Sequence, residues 1–548
     1  MPVAKACERL PRQVIALAFL SEQTCASLAS AQLAGSLCAE TQSEVVLVRL
    51  RPQEAGVETN SRQAEQPFLN GEFHFPAGMQ KTAEGFFTLT LGIRSDPPTP
   101  AGIESLVAQL NRHFRHVLIE TRVNEIAEPW FFELVRRSDL AYLFTNTTTE
   151  GIYHLDRVLR EARGMDGLAS TTIRAIGCLG EGELIDGFDL LAQKVAAPMH
   201  MFVHGCPAAD AEETEGKTAG GDSFRADLRR LAREIGGRLT GLALSSGAAK
   251  GFAHIGVIQV LEENGIEVDV VAGASMGAYV GALWAFGKNG QELEGLAREL
   301  EGRWALWSLL DPVFPPRQGF LGGVAVKKRL MRSIGHARFA DMVRPLRIVA
   351  ANLATLERTV FSTGEVAAAV HASIAVPGIC VPITLDGETY VDGGIVDPLP
   401  VGVLREMGVA RVIAVDVIPT PDRIRYGLQA EQELARHNGK KRRLFFRKVL
   451  PLDQQLNYFA RGNLFEILMR SLHGAQIRMA EASWRLADLV LRPDICDDRW
   501  LDCRHPGKFI ALGREAAERH LEEIKALVSK KEESYERKLA PTPMATVV

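Results

Sequence analysis

The chain has 548 residues, of which 46% are hydrophobic and 24% are charged. This length favours two or more domains over a single core, and the composition is that of an ordinary globular protein. A formal net charge of −4 gives the chain no overall basic character, which argues against nucleic acid as its main partner.

Short apolar segments alternate with helical ones through residues 1–206, and this alternation predicts an α/β domain with a largely parallel sheet. The first segment, VIALAFL at residues 14–20, follows basic residues and loosely resembles the apolar core of a signal peptide. Glu22 and Gln23 interrupt it soon afterwards, so we favour a buried strand over a signal peptide. No uncharged apolar stretch reaches the roughly 18 residues that predict a transmembrane helix.

The strand–helix start of this domain is typical of nucleotide-binding folds of the Rossmann or P-loop kind. The segment SEQTCASLAS that follows the strand has no GxxxxGK[ST] motif and no glycine to admit a pyrophosphate. We therefore predict a degenerate nucleotide-binding-like domain with a structural or regulatory role. ATP hydrolysis that drives partner binding is the weaker alternative.

The composition changes over residues 207–237, which are acidic and small at first and then helical and charged, and this change predicts a linker. A second α/β domain is predicted at residues 238–425. A basic and amphipathic region at residues 426–530 is expected to pack on that domain, and residues 531–548 have the composition of a disordered tail.

The segment VDVVAGASMGAYVGALWAFG at residues 268–287 predicts a nucleophile. A β-branched strand meets Gly273, Ser275 and Gly277, and a helix-forming run follows, which is the context of a GxSxG nucleophile elbow. The two glycines allow a sharp turn that leaves the serine hydroxyl exposed at a helix N-terminus, where the helix dipole favours negative charge. An ordinary glycine turn is the alternative, but it does not explain why a serine stands between the glycines.

Upstream, the segment LALSSGAAKGFAHIG at residues 242–256 predicts a strand, a turn of small residues and a helix. Such a turn lets backbone N–H groups approach a ligand oxygen closely, as the oxyanion of acyl transfer requires. A turn that only packs a helix, or an unrelated phosphate loop, is the alternative.

Downstream, Asp392 in the segment VDGG follows an apolar strand and precedes Gly393 and Gly394. No histidine stands in a glycine-framed loop at a strand end, and His254 is expected to be a packed or surface residue. A carboxylate that acts alone as the base needs burial to raise its proton affinity.

The loop SSGAAKG, the elbow GASMG and the segment VDGG, in this order, resemble the motifs of the patatin-like phospholipase family. The resemblance is greatest to the bacterial branch and to the catalytic domain of neuropathy target esterase. It covers residues 238–425 strongly and residues 480–525 moderately, and the stretch at residues 361–383 matches the family before its aspartate. The resemblance implies a three-layer α/β/α catalytic domain.

The resemblance also implies roles for residues. The family uses a Ser–Asp dyad without a catalytic histidine, which implies Ser275 as the nucleophile and Asp392 as the base. Its glycine-rich loop implies oxyanion amides at Gly247 and Ala248, flanked here by a set of further loop residues: Ser246, Lys250 and Gly251. The usual pattern GGGGA[RK]G has glycines where this chain has Ser245, Ser246 and Ala248, and a position that needs a positive φ would be strained.

The function predicted from these motifs is a serine lipid acyl hydrolase whose substrate is a phospholipid or lysophospholipid. The alternative is a catalytically weak patatin-like scaffold that binds lipid or a protein partner. Eight scattered cysteines show no CxxC pair and no metal-ligand spacing, so we expect reduced thiols, a cytoplasmic protein, and neither metal nor cofactor.

The segment GKKRRLFFRKV contains six basic residues and two phenylalanines. Residues 440–448 are therefore predicted to contact the inner membrane peripherally, with a solvated charge run as an equal alternative. No nucleic-acid-binding motif accompanies this segment. The sequence leaves the head group, the acyl-chain length and the oligomeric state open.

Overall fold

The computed structural model describes residues 12–20, 26–52, 66–67, 79, 81–93, 98–123, 129–165, 172–180, 199–207, 221–301, 311–418, 464–495 and 505–529. The described residues form two eight-stranded sheets. The predicted membrane-contact segment at residues 440–448 and the predicted tail at residues 531–548 lie outside this part of the chain. Across the described residues, no helix is both long and apolar enough to cross a bilayer.

The first sheet belongs to the N-terminal region, and its strands pair in parallel in the order β3-β4-β2-β5-β1-β6-β7-β8. Its strands are β1 (Gln13–Phe19), β2 (Val45–Pro52), β3 (Gln66–Pro67), β4 (Phe87–Ile93), β5 (His116–Arg122), β6 (Leu140–Asn146), β7 (Thr172–Gly180) and β8 (Met199–Cys206). Its helices are α1 (Ala26–Thr41), α2 (Pro100–His113), α3 (Pro129–Arg136) and α4 (Thr149–Arg163). The near-continuous apolar strands form central strands because both faces of a parallel sheet are covered. The predicted N-terminal parallel sheet is thus confirmed.

The second sheet is mixed, with the order β13-β14-β11-β10-β9-β15-β16 and with β12 paired to β11. Its strands are β9 (Thr240–Leu244), β10 (Val270–Ala274), β11 (Leu346–Asn352), β12 (Arg358–Phe361), β13 (Ile383–Leu385), β14 (Glu388–Asp392), β15 (Arg411–Val415) and β16 (Leu489–Leu491). Its helices are α5 (Asp222–Ile235), α6 (Ala253–Glu263), α7 (Met276–Ala285), α8 (Gly290–Arg298), α9 (Val324–Ile334), α10 (Val366–Ser373), α11 (Val401–Glu406), α12 (Leu464–Trp484), α13 (Pro506–Arg519) and α14 (Leu521–Ser529).

Helices cover both faces of the second sheet. One buried apolar cluster joins one face to α6, α7, α8 and α10, and another joins the opposite face to α5 and α11. The predicted three-layer α/β/α arrangement is therefore confirmed. The strands at the centre of this sheet pair in parallel, while β14 runs antiparallel to β11.

The two sheets share a core. The second half of the predicted linker forms α5, and its apolar residues lie in one buried cluster with residues from both sheets. Arg347 of β11 donates hydrogen bonds to the carbonyl oxygens of Met199 and His200 in β8, at 3.1 and 2.6 Å. The proposed domain boundaries stay a prediction, and residues 208–220 of the predicted linker lie outside the described part.

The described part of residues 426–530 lies on the second sheet. Strand β16 pairs with β15 in parallel. Helix α13 approaches α6 so closely that a Cβ added to Gly256 would lie 2.0 Å from the carbonyl oxygen of Ile510. Glycine is therefore needed at this helix crossing.

Candidate active site

The three sequence motifs meet at one edge of the second sheet. Because β9, β10 and β11 are parallel, the turns that follow β9 and β10 leave the sheet at the same edge. Ala274 pairs with Val349, and the next residue of β11, Ala350, pairs with Asp392 at the end of antiparallel β14. The serine turn and the aspartate therefore lie side by side in the sheet.

Ser275 stands in a tight turn between β10 and α7. Its backbone has φ +54° and ψ −121°, a conformation that non-glycine residues rarely adopt. A Cβ added to Gly273 would lie 2.5 Å from the Gly277 carbonyl oxygen, and one added to Gly277 would lie 2.2 Å from the Leu244 carbonyl oxygen. Both glycines are therefore required by close backbone contacts, and the serine is held at the start of α7.

Ser275 and Asp392 are hydrogen-bonded. The Ser275 hydroxyl donates to Oδ2 of Asp392 at 2.6 Å, and the Gly394 amide donates to Oδ1 of Asp392 at 2.7 Å. The side chains are almost buried, with Ser275 7% and Asp392 3% exposed. Burial raises the pKa of Asp392 to about 6, although both hydrogen bonds lower it. The carboxyl group therefore binds a proton more readily than an exposed aspartate does.

The two glycines after Asp392 are also set by contacts. A Cβ added to Gly393 would lie 2.1 Å from the Val349 carbonyl oxygen. A Cβ added to Gly394 would lie 2.9 Å from each of three polar atoms, including Oδ1 of Asp392. The segment VDGG thus fits tightly against β11 and around the carboxylate.

The loop after β9 lies against the serine turn. Ser246 donates its amide to the Pro398 carbonyl oxygen at 2.8 Å, and Ala248 begins a short 3₁₀ helix, Ala248–Phe252. Neither the Gly247 amide nor the Ala248 amide donates a hydrogen bond to another described residue. A Cβ added to Gly251 would lie 2.3 Å from Cγ of Met276, so the loop touches the residue next to Ser275.

The loop carries the strain that its departure from the family pattern predicts. Ala248 has φ +48°, in the left-handed region that favours glycine. Gly247 has φ 167°, which is extended backbone, but a Cβ there would lie 2.4 Å from Cγ2 of Val417. Glycine is needed at position 247 for space, and alanine is tolerated at 248 at an energetic cost.

Lys250, the basic residue of this loop, is 2% exposed. Its amide donates to the Gly247 carbonyl oxygen at 3.1 Å. The loop is thus closed on itself by a backbone bond across its turn.

His254 is a buried structural residue, as expected. Its Nε2 lies 2.9 Å from the Ser245 carbonyl oxygen, and burial lowers its pKa to about 4. It therefore supports the loop as a neutral ring. Among the residues that the structure describes, no histidine is hydrogen-bonded to Ser275 or Asp392.

Ser373 is a site residue that sequence reasoning missed. Its hydroxyl accepts a hydrogen bond from the Ser275 amide at 2.8 Å and donates one to the Val349 carbonyl oxygen at 2.6 Å. It therefore ties the strained serine turn to β11. Ser373 lies in the stretch 361–383 that matched the family, but nothing in a serine on a small-residue helix marks this contact.

Helix α12 brings two further residues to the site. Nε2 of Gln476 and Oγ of Ser246 would each lie 2.9 Å from a Cβ on Gly394. Nε2 of His473 is buried without a hydrogen-bond partner, and burial, with a smaller effect of the Lys250 charge, lowers the pKa of His473 to about 4. The amphipathic pattern predicted a packed helix, but it did not indicate what the helix contacts.

The chemistry at this edge rests on side chains and backbone amides. Within the described ranges, no group of three or more His, Cys, Asp or Glu residues is arranged to hold a metal ion. What the geometry provides is a hydroxyl nucleophile, a buried carboxylate that can take its proton, and unpaired amides beside them.

The patatin-like phospholipase family model matches residues 242–405. These residues are therefore a patatin-like phospholipase domain, and the resemblance drawn from the motifs is confirmed. The chain is 32% identical over 195 residues to lysophospholipase NTE1 of Pyricularia oryzae, which is 35% of this chain and 13% of the fungal protein. It is also 32% identical over 203 residues to lysophospholipase NTE1 of Kluyveromyces lactis, covering 37% of this chain and 14% of that protein. The chain thus matches about one seventh of the length of these relatives.

Two solved structures are distantly similar. The ParA family ATPase from Chlorobium tepidum aligns with 40% of this chain and 98% of its own, at 10% identity and a TM-score of 0.30. VipD from Legionella pneumophila aligns with 52% of this chain and 67% of its own, at 16% identity and a TM-score of 0.28. Neither likeness bears on the function.

Proposed function

Starting from the patatin-like phospholipase domain at residues 242–405, we propose that this chain is a serine lipid acyl hydrolase. Its substrate is a phospholipid or a lysophospholipid, and the bond cleaved is a fatty-acyl ester. The observation that carries the proposal is the 2.6 Å hydrogen bond from the Ser275 hydroxyl to the buried Asp392 carboxylate. A serine in a strained turn has little reason to face a buried carboxylate unless its proton is to be removed.

In the proposed mechanism, Asp392 takes the proton of Ser275 as the hydroxyl oxygen attacks the ester carbonyl carbon. A carboxyl group with a pKa of about 6 is ionised at neutral pH and still a stronger base than an exposed aspartate. The oxyanion of the tetrahedral intermediate accepts hydrogen bonds from the Gly247 and Ala248 amides, and the N-terminus of α7 favours its charge.

Collapse of this intermediate breaks the ester bond. Asp392 gives the proton to the departing alcohol, and the acyl chain stays on Ser275 as an ester. A water molecule then loses a proton to Asp392 and attacks the acyl carbon, which releases the fatty acid and restores the serine hydroxyl. Two residues thus serve both halves of the reaction, and no histidine is required.

The lipid nature of the substrate is supported by the relatives. The fungal proteins that match the domain are lysophospholipases by name. An apolar acyl chain is also compatible with the surroundings of the dyad, where Cys380 and α10 are largely apolar and buried.

A second candidate is a catalytically weak scaffold that binds lipid or a partner protein. The observation that favours it is the strained Ala248, with φ +48° at a position where the family commonly has glycine. If this strain misdirects the oxyanion amides, binding survives while turnover falls.

Hydrolysis of p-nitrophenyl butyrate separates the two candidates. We expect Ser275→Ala to lower kcat/KM by about 10³-fold or more, because the nucleophile is lost. Ser36→Ala in α1 is the matched control and should hydrolyse at the parental rate, because Ser36 lies in the N-terminal domain. Equal rates for the parental chain and Ser275→Ala would refute the enzyme. Release of fatty acid from lysophosphatidylcholine and from phosphatidylcholine then decides between the two substrate classes.

A further inference from the structure

An apolar loop protrudes next to the candidate active site. Residues 312–316, with the sequence PVFPP, are all exposed, and the side chain of Phe314 is 94% exposed. Phe320 closes the loop and is 41% exposed. A run of exposed apolar residues costs solubility, and such runs in natural proteins mark contact surfaces. We call residues 312–320 the apolar loop.

The base of the apolar loop is firmly held. The amide of Val313 donates to the Phe320 carbonyl oxygen at 2.9 Å across the loop. The amides of Phe320 and Leu321 donate to the Ile379 carbonyl oxygen at 2.8 and 2.9 Å, and the Val381 amide donates to Leu321 at 2.9 Å. The tip therefore projects from a fixed support.

This support is the wall of the active site. A Cβ added to Gly319 would lie 2.5 Å from the backbone carbon of Cys380, and the pKa of Cys380 is raised by burial and also by the charge of Asp392. Nε2 of His371 lies 3.0 Å from the Gly322 carbonyl oxygen. His371 belongs to α10, which also carries Ser373. The apolar loop is thus anchored to the two segments that flank the dyad.

The neighbouring surface is basic. Residues 311–334 contain five basic residues and one acidic residue, Asp311. The Asp311 carboxylate accepts hydrogen bonds from the Gly323 and Val324 amides at the start of α9, at 3.0 and 2.7 Å. Its charge is therefore directed at the helix terminus, and not at the exposed basic residues.

Two lysine or arginine side chains of α9 stand on its exposed face. Val324, Lys328 and Arg332 are all exposed and are spaced by four residues, so they form one stripe that begins beside the apolar loop. Arg317 in the loop is also exposed. An exposed aromatic tip with basic residues around it matches the interface of an anionic bilayer, where apolar groups enter and cations meet the head groups.

We propose that the apolar loop and the exposed stripe of α9 bind the surface of an anionic lipid bilayer, with Phe314 inserted among the head groups. This inference rests on the proposed function, because it supplies the lipid surface from which the site draws its substrate. A protein partner is less well matched, since a stable protein interface needs about 800 Å² on each side and this feature is one protruding tip. The contact is distinct from the one predicted at residues 440–448.

Vesicle sedimentation tests the proposal with the full chain carrying Ser275→Ala, so that no lipid is consumed. The vesicles contain equal parts of phosphatidylcholine and phosphatidylglycerol. We expect Phe314→Ser to lower the partition coefficient about tenfold, because an inserted aromatic side chain is lost. The matched control is Tyr153→Ser in α4, where the side chain is 63% exposed in the other domain, and its binding should equal that of the parent.

A charge variant tests the second part of the surface. Lys328→Glu combined with Arg332→Glu should weaken binding to the mixed vesicles and have little effect on pure phosphatidylcholine vesicles. Thermal midpoints confirm that each variant is folded. The proposal is overturned if the Ser275→Ala chain does not bind vesicles, or if Phe314→Ser binds as tightly as its parent. Loss of binding only on replacement of the basic residues in 440–448 would also overturn it.

Failure of the proposed function has a different signature. Binding needs no turnover, so a Phe314-dependent contact can be present in a chain that hydrolyses no ester. Conversely, Ser275-dependent hydrolysis of soluble p-nitrophenyl butyrate together with Phe314-independent binding would leave the hydrolase intact and remove the loop from the account.

Discussion

At the scale of single residues, the Asp392 carboxylate is subject to two opposing influences. Burial away from water favours its neutral form, while hydrogen bonds from Ser275 and Gly394 favour the ionised form. Burial prevails and raises the pKa of Asp392 to about 6. The proposed base is therefore charged at neutral pH and becomes protonated only a little below it.

This pKa predicts how the rate depends on pH. The base must be ionised to take the Ser275 proton, so kcat/KM for p-nitrophenyl butyrate should rise with pH up to about 6 and then level off. Below about pH 6 the rate should fall roughly tenfold for each pH unit, since the ionised fraction falls in that proportion. A pH–rate profile of the free enzyme between about pH 4.5 and 8 measures this dependence.

Unfolding does not account for such a fall. The pKa of Asp392 in the folded chain lies above the model value of 3.8, so the folded state binds a proton before the unfolded state does. The contribution of Asp392 to the free energy of unfolding therefore increases as the pH falls from about 6 to about 4. Circular dichroism over the same pH range is the control. A profile that is flat from about pH 5 to 7 would contradict the proposed base.

Single residues also differ in how far the sequence predicts them. Ser275 and Asp392 were predicted because each stands at a strand end among glycines, and the need for those glycines follows from backbone contacts of about 2–3 Å. Ser373 was not predicted, because its role depends on the Ser275 amide and the Val349 carbonyl oxygen coming together in space. Hydroxyl groups on helices are common, and their partners across a sheet leave no local pattern.

At the scale of elements, the loop after β9 places two adjacent residues under different constraints. Gly247 has ordinary extended backbone but no space for a side chain beside Val417. Ala248 has space for its methyl group but a φ of +48°, which costs an alanine about 1–2 kcal/mol. The two positions therefore respond to substitution in opposite directions.

We expect Gly247→Ala to lower kcat/KM for p-nitrophenyl butyrate about 10²-fold, because the new Cβ meets Val417 and moves an oxyanion amide. Ala248→Gly should raise the free energy of unfolding by about 0.5 kcal/mol, since relief of strain exceeds the added flexibility of the unfolded chain. Its kcat/KM should equal or exceed that of the parent. Steady-state kinetics and urea unfolding measure both variants.

The pair of variants includes its own control. Both change one methyl group in adjacent residues, so a general sensitivity of the loop would affect them alike. Full activity in Gly247→Ala would show that the loop amides do not receive the oxyanion. A large gain of activity in Ala248→Gly would favour the catalytically weak scaffold for the natural chain.

Elements were predictable where a periodic pattern specifies them. The alternation of apolar strands with helices predicted both α/β domains, because buried parallel strands are apolar on both faces. The position of α12 was not predictable in this way. Its amphipathic pattern requires a neighbour, but Gln476 and His473 reach the loop only through the tertiary arrangement.

At the scale of the whole molecule, the composition of residues 207–237 indicated a linker between separate domains, while α5 within it is part of a common core. The charged residues of α5 explain the prediction, since four of its first nine residues are acidic or basic. Its apolar residues recur at helical spacing and are buried: Phe224, Leu228, Leu231 and Ile235. A composition average conceals a stripe of this kind.

The shared core predicts that the two sheets unfold together. Phe224 is fully buried in the cluster that contains residues of both sheets. Phe224→Ala should therefore lower the free energy of unfolding by about 3–5 kcal/mol, because it opens a cavity in that cluster. Amide hydrogen exchange should show an equal decrease for β5 of the first sheet and β10 of the second, provided that both exchange by global unfolding.

Arg225→Ala is the matched control on the same helix. Arg225 pairs with Asp222 at the surface, where an ion pair contributes little, so the change should stay within about 0.5 kcal/mol. A decrease confined to β5, with the protection of β10 unchanged, would mean that the two sheets are independent units. An equal decrease in both would mean that the N-terminal domain stabilises the sheet whose edge carries Ser275, even though it contributes no residue to the dyad.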